Sequence, residues 1–486
     1  MKPQFALAAL SCLLGMASVH ASPAVMATQA AASVRLWSAN DYQTLTNQFI
    51  TGISTTFSVQ QYPWTFVTPE SCFAAGMTNC YGANPDSPYG TAVFKGSVNY
   101  ATRLDKTDAL VLIMQTPPEL GYLGITSYLN TRYYAPLPSD PTKSGRVVLF
   151  ESLNDSVNQL DIMTAGSPTP GGAPFSQLAV FVMTADSRTY SDVVNQLTAL
   201  GYPTTGINLL ALPITAVPLN MGTGPDADTY SLFMRAAYPT NKSAFSDYLA
   251  SAPINALKLS LLASRESTPL PTPAYKVPGE GVAEPDHLKQ ARNQLVNELK
   301  AKYAAAYTIT ENNVAATLQQ TKNYYCADMG EVCNGDNPDA IYLQDAYQYT
   351  PAKLKDKILV VGVDHVKSGK ATYTSDSVVN LNNNTGVVAI NNTALAGSAL
   401  KMAGITDPSD PRYALYSQLY ALTISYDCTG EPVCLTIPQP TADNPVGVPF
   451  GTNMKITSRT YLDPATQTRP KAQELILERA FTLQAN

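Results

Sequence analysis

The sequence predicts a β-rich α+β protein: two duplicated β-sandwich-like units with a ferredoxin-like βαββαβ module inserted between them. Three observations carry this. The first is composition. There are 28 tyrosines and 36 prolines against 14% charged residues, a balance that suits strands and turns rather than solvated helices. The second is a repeated motif. Cys80 to Tyr89 reads CYGANPDSPY and Cys333 to Tyr342 reads CNGDNPDAIY. Both fit C-x-G-x-N-P-D-x-x-Y, and each lies behind another cysteine, Cys72 or Cys326. Asx–Pro turn chemistry explains one such stretch, but not two behind two matched cysteine pairs. The third is the order of strand and helix patterns between the copies, which is β-α-β-β-α-β.

The chain opens with Lys2, an apolar run from Phe5 to Met16, and Val19 and Ala21 at the −3 and −1 positions. This is the pattern of a secretory signal peptide, residues 1–21, cleaved after Ala21. The run is short of the ~20 residues that span a bilayer. No later stretch is apolar and long enough to span, so no membrane span is expected. The predicted location is secreted or periplasmic. A net charge of −6 without clustered Lys and Arg argues against nucleic acid as a partner. A small molecule or a surface partner is expected instead.

Residues 22–175 form the expected first β unit. Ser38 is placed to cap a helix with Tyr42, Leu45, Phe49, Ile50 and Ile53 at helical spacing. Beyond the motif, Asp108–Ser127 (DALVLIMQTPPELGYLGITS) aligns without gaps on Asp356–Ser375 (DKILVVGVDHVKSGKATYTS). Each reads as an apolar strand, a polar turn and a second strand, with Gly121 opposite Gly369. The repeat extends over roughly 70–187 and 324–437.

Residues 176–264 are the expected ferredoxin-like module. Strands are predicted at 178–184, 207–214, 230–238 and 256–263, and helices at 191–200 and 243–251. Residues 265–284 are a Pro-rich linker. Residues 285–323 hold a bridging helix opened by Pro285, with Leu288, Ala291, Leu295, Leu299 and Tyr303 on one face. Residues 324–486 form the second β unit.

Cys12 falls in the signal peptide, which leaves Cys72, Cys80, Cys326, Cys333, Cys428 and Cys434. An even count in an exported chain reads as disulfides. Proximity favours 72–80, 326–333 and 428–434. Zinc would need tighter spacing and more histidines.

Few residues invite chemistry. No nucleophile elbow, zincin helix, P-loop or dinucleotide fingerprint is present. His287 sits in a helix first turn and reads as solvated. His365 follows Asp364 at the end of an apolar strand, where a rigid sheet presents side chains to function. Its counterparts in the first copy are Thr116 and Pro117, so the repeated fold does not require a histidine. The function expected from this is a hydrolase or lyase with His365 as general base, assisted by Asp364, Tyr373 and Asp339. The alternative is a non-catalytic exported ligand-binding or cell-surface interaction protein. No cofactor is expected; calcium is the ion that the oxygen-rich NPD loops would suit.

Overall fold

The computed structural model describes residues 37–74, 79–94, 100–167, 169–317, 325–345 and 348–486, so the expected signal peptide lies outside the described residues. The first half holds α1 (Tyr42–Ile53), β1 (Phe57–Tyr62), β2 (Trp64–Val67), α2 (Pro69–Ala74), β3 (Tyr89–Ala92), β4 (Ala109–Gln115), β5 (Leu120–Tyr134), β6 (Gly145–Ser152), β7 (Val157–Asn158), β8 (Leu178–Thr184), α3 (Ser187–Ala199), β9 (Ile207–Ala211), β10 (Thr229–Pro239), α4 (Lys242–Ser251) and β11 (Ile254–Leu261). The second half holds α5 (Asp286–Tyr303), β12 (Tyr307–Asn312), β13 (Val314–Thr317), α6 (Tyr325–Met329), β14 (Ala340–Asp345), β15 (Lys357–Val363), β16 (Tyr373–Asn380), β17 (Thr385–Asn391), α7 (Asn392–Leu395), α8 (Ser398–Ala403), α9 (Tyr413–Tyr416), β18 (Leu419–Ser425), β19 (Cys434–Thr436), β20 (Met454–Tyr461) and β21 (Arg479–Ala485).

These strands make four sheets. The first half has an outer sheet, β1-β11-β4-β8-β9, and an inner sheet, β2-β3-β10-β5-β6, with β7 beside β5. The second half has an outer sheet, β12-β21-β15-β18-β19, and an inner sheet, β13-β14-β20-β16-β17. The two orders correspond strand for strand, and in each outer sheet the last pair is the parallel one.

Burial follows from alternation on these strands. On the outer side, Leu45 and Phe49 of α1 and Val193 and Leu197 of α3 pack on Val111 and Val180. In the second half, Leu295 and Leu299 of α5 pack on Leu359 and Phe481. On the inner side, Leu112 and Phe181 meet Ile125 and Met234 in one half, and Val360 and Leu422 meet Val378 and Ile456 in the other. The two inner sheets then face each other through Tyr122, Tyr373 and Tyr461. The order of layers is helices, outer sheet, inner sheet, inner sheet, outer sheet, helices.

The four strands of residues 176–264 do not form a ferredoxin-like sheet. β8, β9 and β11 belong to the outer sheet with β1 and β4, while β10 belongs to the inner sheet between β3 and β5. Element order alone does not specify pairing. β10 is drawn away by the long β5, which it matches over nearly its whole length. Strands from 22–175 and 176–264 therefore share both sheets.

The ungapped match of the strand–turn–strand also needs correction. Arg235 faces Gly124 across the ladder and Arg459 faces Ser375. The counterpart of Ser375 is thus Gly124, not Ser127, and the second turn is longer. Gly369 lies in that turn at φ +81, whereas Gly121 lies within β5. The three expected disulfides are present: Cys72–Cys80, Cys326–Cys333 and Cys428–Cys434. Among the described residues no helix is long and apolar enough to cross a membrane.

Candidate functional site

The two repeated motifs exchange places. The Cys80 amide donates to the Asn383 carbonyl (2.8 Å) and the Gly82 amide to that of Asn384 (2.7 Å). Reciprocally, the Cys333 amide donates to Leu149 O (2.7 Å) and the Gly335 amide to Phe150 O (2.9 Å). Each motif loop thus lies against β6 or the start of β17 of the opposite half. The backbone repeats in detail: Tyr81 and Asn334 both have φ +55, and the acceptors Phe150 and Asn384 both have φ +47. Approach is close. A Cβ at Gly386 would stand 2.5 Å from the Ala83 carbonyl, so a side chain there would push the loop off.

Beyond the glycines, the Asn of each motif closes an Asx turn. Asn84 Oδ1 accepts from the Asp86 amide (3.2 Å) and Asn337 Oδ1 from the Asp339 amide (3.1 Å). Buried phenols from the opposite inner sheet reach the aspartates. Tyr373 OH donates to Asp86 Oδ2 (3.3 Å) and Tyr122 OH to Asp339 Oδ2 (3.0 Å). These oxygens serve hydrogen bonds of the interface, which leaves the calcium expectation without support from their geometry. Glu151 lies near Cys326 and Cys333 at metal-ligand separations, but those sulfurs are joined to each other and are not thiolate ligands.

Two buried arginines tie the exchange. Arg235 of β10 donates through Nη2 to the Gly335 carbonyl and through Nη1 to Tyr128 OH. Arg459 of β20 donates through Nη2 to the Gly82 carbonyl (2.8 Å) and through Nη1 to Ser377 Oγ. Each also lies over the motif tyrosine of its own half, Arg235 at 5.6 Å from the Tyr89 ring and Arg459 at 5.9 Å from that of Tyr342, a cation–π distance. No carboxylate within ion-pair distance of either guanidinium is seen among the described residues.

Between these ties lies a cavity of about 500 Å³, within the range of small-molecule sites. Its lining includes Arg235, Arg459 and Lys455 and, among the described residues, no Asp or Glu. Burial and the adjacent Arg459 guanidinium hold the Lys455 ammonium below its ordinary pKa. Val148, Phe150 and Phe233 supply apolar wall. Around the second motif loop, burial raises three acids. Asp336 is pushed up to about 6 and Asp339 to about 7; Glu151, which also feels Asp336, rises to about 7.

The residues singled out from sequence are distributed differently. His365 is nearly buried, and its Nδ1 lies 2.7 Å from Glu284 Oε1. The other Glu284 oxygen accepts from the Ile476 amide (2.6 Å). Burial opposes ionisation of Glu284, but the imidazole and these hydrogen bonds outweigh it and hold the carboxyl below its usual range. His365 does not line the 500 Å³ cavity. Asp364 caps its own turn, accepting from the Val366 amide at 3.1 Å. Tyr373 and Asp339 belong to the two motif contacts described above. The four do not converge on one another.

Sequence reasoning passed over Arg235 and Arg459. The available signal was a single Arg within each of two strands otherwise free of acids, SLFMRAAY and KITSRTY, since a charge in a buried strand demands partners. No protein-family model and no curated protein matches the chain. Among solved structures it is similar to an uncharacterized protein from Burkholderia cenocepacia, with 13% identity and a TM-score of 0.38 over 90% of this chain and 86% of that one. A quasi-atomic structure of the PBCV-1 virus capsid matches at 8% identity and a TM-score of 0.18, over 88% of this chain and 94% of that one. Likeness at this level carries no argument about activity.

Proposed function

We propose that the chain is an exported, non-catalytic ligand-binding protein, that its halves are duplicated copies of one β unit, and that the ligand sits between the two inner sheets. The observation that carries this reading is the cavity of about 500 Å³ bordered by the buried Arg235 and Arg459, with no Asp or Glu in its lining among the described residues. The guanidinium groups of Arg235 and Arg459 have no carboxylate within ion-pair distance among the described residues; burying such charge is costly, and a bound anion would relieve that cost. The matched sheet orders and the reciprocal loop contacts support duplication. The three disulfides support an oxidising compartment.

The test is a small-molecule screen by thermal shift on the purified chain, run beside Val148→Trp, which narrows the cavity at its exposed rim. Hits weakened or lost in the narrowed variant support the reading; hits unaffected by it place the ligand elsewhere and end it. A hydrolase or lyase built on His365 is the second reading, favoured by the carboxylate at 2.7 Å from its ring. Turnover lost in His365→Ala with folding intact would select it.

A further inference from the structure

One buried acid is an addition to the repeated fold. Glu151 follows the acceptor Phe150 on β6, and its place in the other half is taken by Thr385, which follows Asn384. Both halves form the exchange, so the exchange does not require a carboxylate there. Glu151 is wholly buried. Its two oxygens accept from the Cys326 amide (3.2 Å) and the Ala327 amide (2.9 Å) of α6. No Lys, Arg or His lies within ion-pair distance of it among the described residues. The charged groups that bear on it are the acids Asp336 and Asp328. The two amides offset part of the cost of burying a carboxylate, and the neighbouring acids add to it.

The disulfide beside it gives a second, independent observation. A carboxylate oxygen of Glu151 and the sulfurs of Cys326 and Cys333 lie within 4.8 Å of one another. The corresponding disulfide, Cys72–Cys80, has no acid at such separations among the described residues. Sequence spacing does not show this set, because Glu151 precedes Cys326 by 175 residues. Joined sulfurs are poor ligands; separated ones form thiolates. With Zn–S of about 2.3 Å and Zn–O of about 2.1 Å, tetrahedral edges are about 3.8 Å between sulfurs and about 3.6 Å between sulfur and oxygen. The carboxylate therefore has at most about 1.2 Å to close. The sulfurs lie just beneath a surface loop whose Met329 and Val332 are exposed.

We propose that the Cys326–Cys333 disulfide is the closed form of a redox-gated site for a thiophilic divalent cation such as zinc, with Cys326, Cys333 and Glu151 as its protein ligands and water at the fourth position. A dithiol opens the site. Its two sulfurs join in a disulfide, and the Cys326–Cys333 bond takes up the two electrons and two protons to leave two thiols. The cation then displaces both thiol protons, and one oxygen of Glu151 turns from its amide to the metal. None of the three ligands lines the 500 Å³ cavity, so the site is separate from the one assigned to the ligand above.

The experiment uses cobalt(II), whose tetrahedral thiolate complexes have visible ligand-field bands and a near-ultraviolet charge-transfer band. The mature chain is titrated before and after reduction by a water-soluble phosphine, which offers the metal no thiol. The oxidised chain is expected to give no bands and the reduced chain to bind one cobalt with both. Cys326→Ser combined with Cys333→Ser is expected to lose both bands, although the other four cysteines are reduced as well. Glu151→Gln is expected to bind cobalt at least about tenfold more weakly. If Glu151→Gln does not melt cooperatively, Glu151→Asp, which keeps the charge and withdraws the oxygen, replaces it with the same expectation. Zinc is also expected to raise the Tm of the reduced wild type and not that of the Glu151 variant. Bands that survive the double cysteine variant, or equal cobalt affinity in the Glu151 variant, overturn the proposal. A Glu151 that merely caps α6 would lower both melts and leave the bands unchanged. A reduced chain that shows no cooperative melt with zinc present overturns it too, because the fold then does not bring the three ligands together.

Discussion

The two halves solve the same folding problem and differ where the problem leaves freedom. Each keeps a cysteine-closed loop, a Gly whose carbonyl is tied by the opposite half's Arg, an Asx–Pro turn and an aspartate reached by an opposite Tyr. The loop contacts themselves are not equally charged. The second loop brings Asp336 into full burial near Glu151 of the first half, and Asp339 into full burial beside Tyr122 and Asn158. At the corresponding places in the reciprocal contact stand Ala83, the partly exposed Asp86 and Thr385. One contact therefore hides three acids and the other hides none of comparable burial, so the pair should respond differently to pH.

The sign follows from the raised values. An acid whose folded pKa lies above its unfolded one holds its proton more tightly when folded. Its stability contribution is complete below the unfolded value, about 4, and declines as pH rises toward the folded value. With Asp336 at about 6 and Asp339 and Glu151 at about 7, stability should fall between about pH 4 and 7. Several kcal/mol are at stake, since one unit for one group is worth about 1.4. Urea unfolding at pH 4 and 8 measures the total. Hydrogen exchange locates it: the Cys333 and Gly335 amides should lose protection on going to pH 8, and the Cys80 and Gly82 amides should not. Equal loss at both would remove the distinction between the contacts.

The arginine ties should be equivalent. Arg235→Met and Arg459→Met each leave a glycine carbonyl, buried at Gly335 and part-buried at Gly82, and a hydroxyl without their arginine donor, at an expected cost of about 3 kcal/mol. Equilibrium unfolding of the two variants compares them directly. A cost for Arg459 well below that for Arg235 would mean that Arg459 is spared for the cavity rather than held by the fold.

A second divergence lies in the cores. Between the sheets of the first half, Met114, Ala179, Ile125, Met234 and Ile254 pack together. Ladder partners place Gly362, Tyr420, Asp376, Ser458 and Glu478 at the same positions of the second half. Where the first half has a Met–Ala pair the second has Gly–Tyr, with the large residue on the neighbouring strand. A Cβ at Gly362 would stand 2.5 Å from the Tyr420 ring. Gly362→Ala should therefore cost about 2 kcal/mol through overpacking, and Gly362→Ala combined with Tyr420→Ala should recover part of it. A recovery absent from the double variant would show that the glycine serves the backbone instead.

How much of this was legible follows from range. The disulfides, most strand positions and helices such as Ser187–Ala199, capped by Asp186, are written in local spacing and turn chemistry. The paired motifs carried the correspondence between halves. The pairing of β10 with β5 was not legible, because a strand's neighbours are set by contacts far away in sequence. The site was missed for a related reason. His365 was conspicuous because histidine is scarce, yet its partner Glu284 lies 81 residues away in a stretch read as linker. Arg235 and Arg459 were inconspicuous because what distinguishes them, a carbonyl from the opposite half, exists only after the loops exchange.

The smallest expected effect concerns the polar core itself. Ser458 Oγ lies within hydrogen-bond reach of Asp376 Oδ1 and, at 2.6 Å, of Glu478 Oε1, whose other oxygen accepts from Tyr420 OH (2.6 Å). One hydroxyl proton cannot serve two carboxylates, so one carboxyl of the pair carries a proton. Burial, and then the Glu478 charge, push Asp376 well above its usual range, so Asp376 is the position at which to test for the proton. Asp376→Asn keeps the shape and replaces the carboxyl donor with an amide donor. Its cost at pH 5 should stay within about 1 kcal/mol. At pH 8 the variant should be the more stable of the two, because wild type there must retain a proton that its unfolded chain has released. Thermal melts at the two pH values decide it. A variant destabilised equally at both would mean that Asp376 is ionised in the fold and that the proton belongs to Glu478.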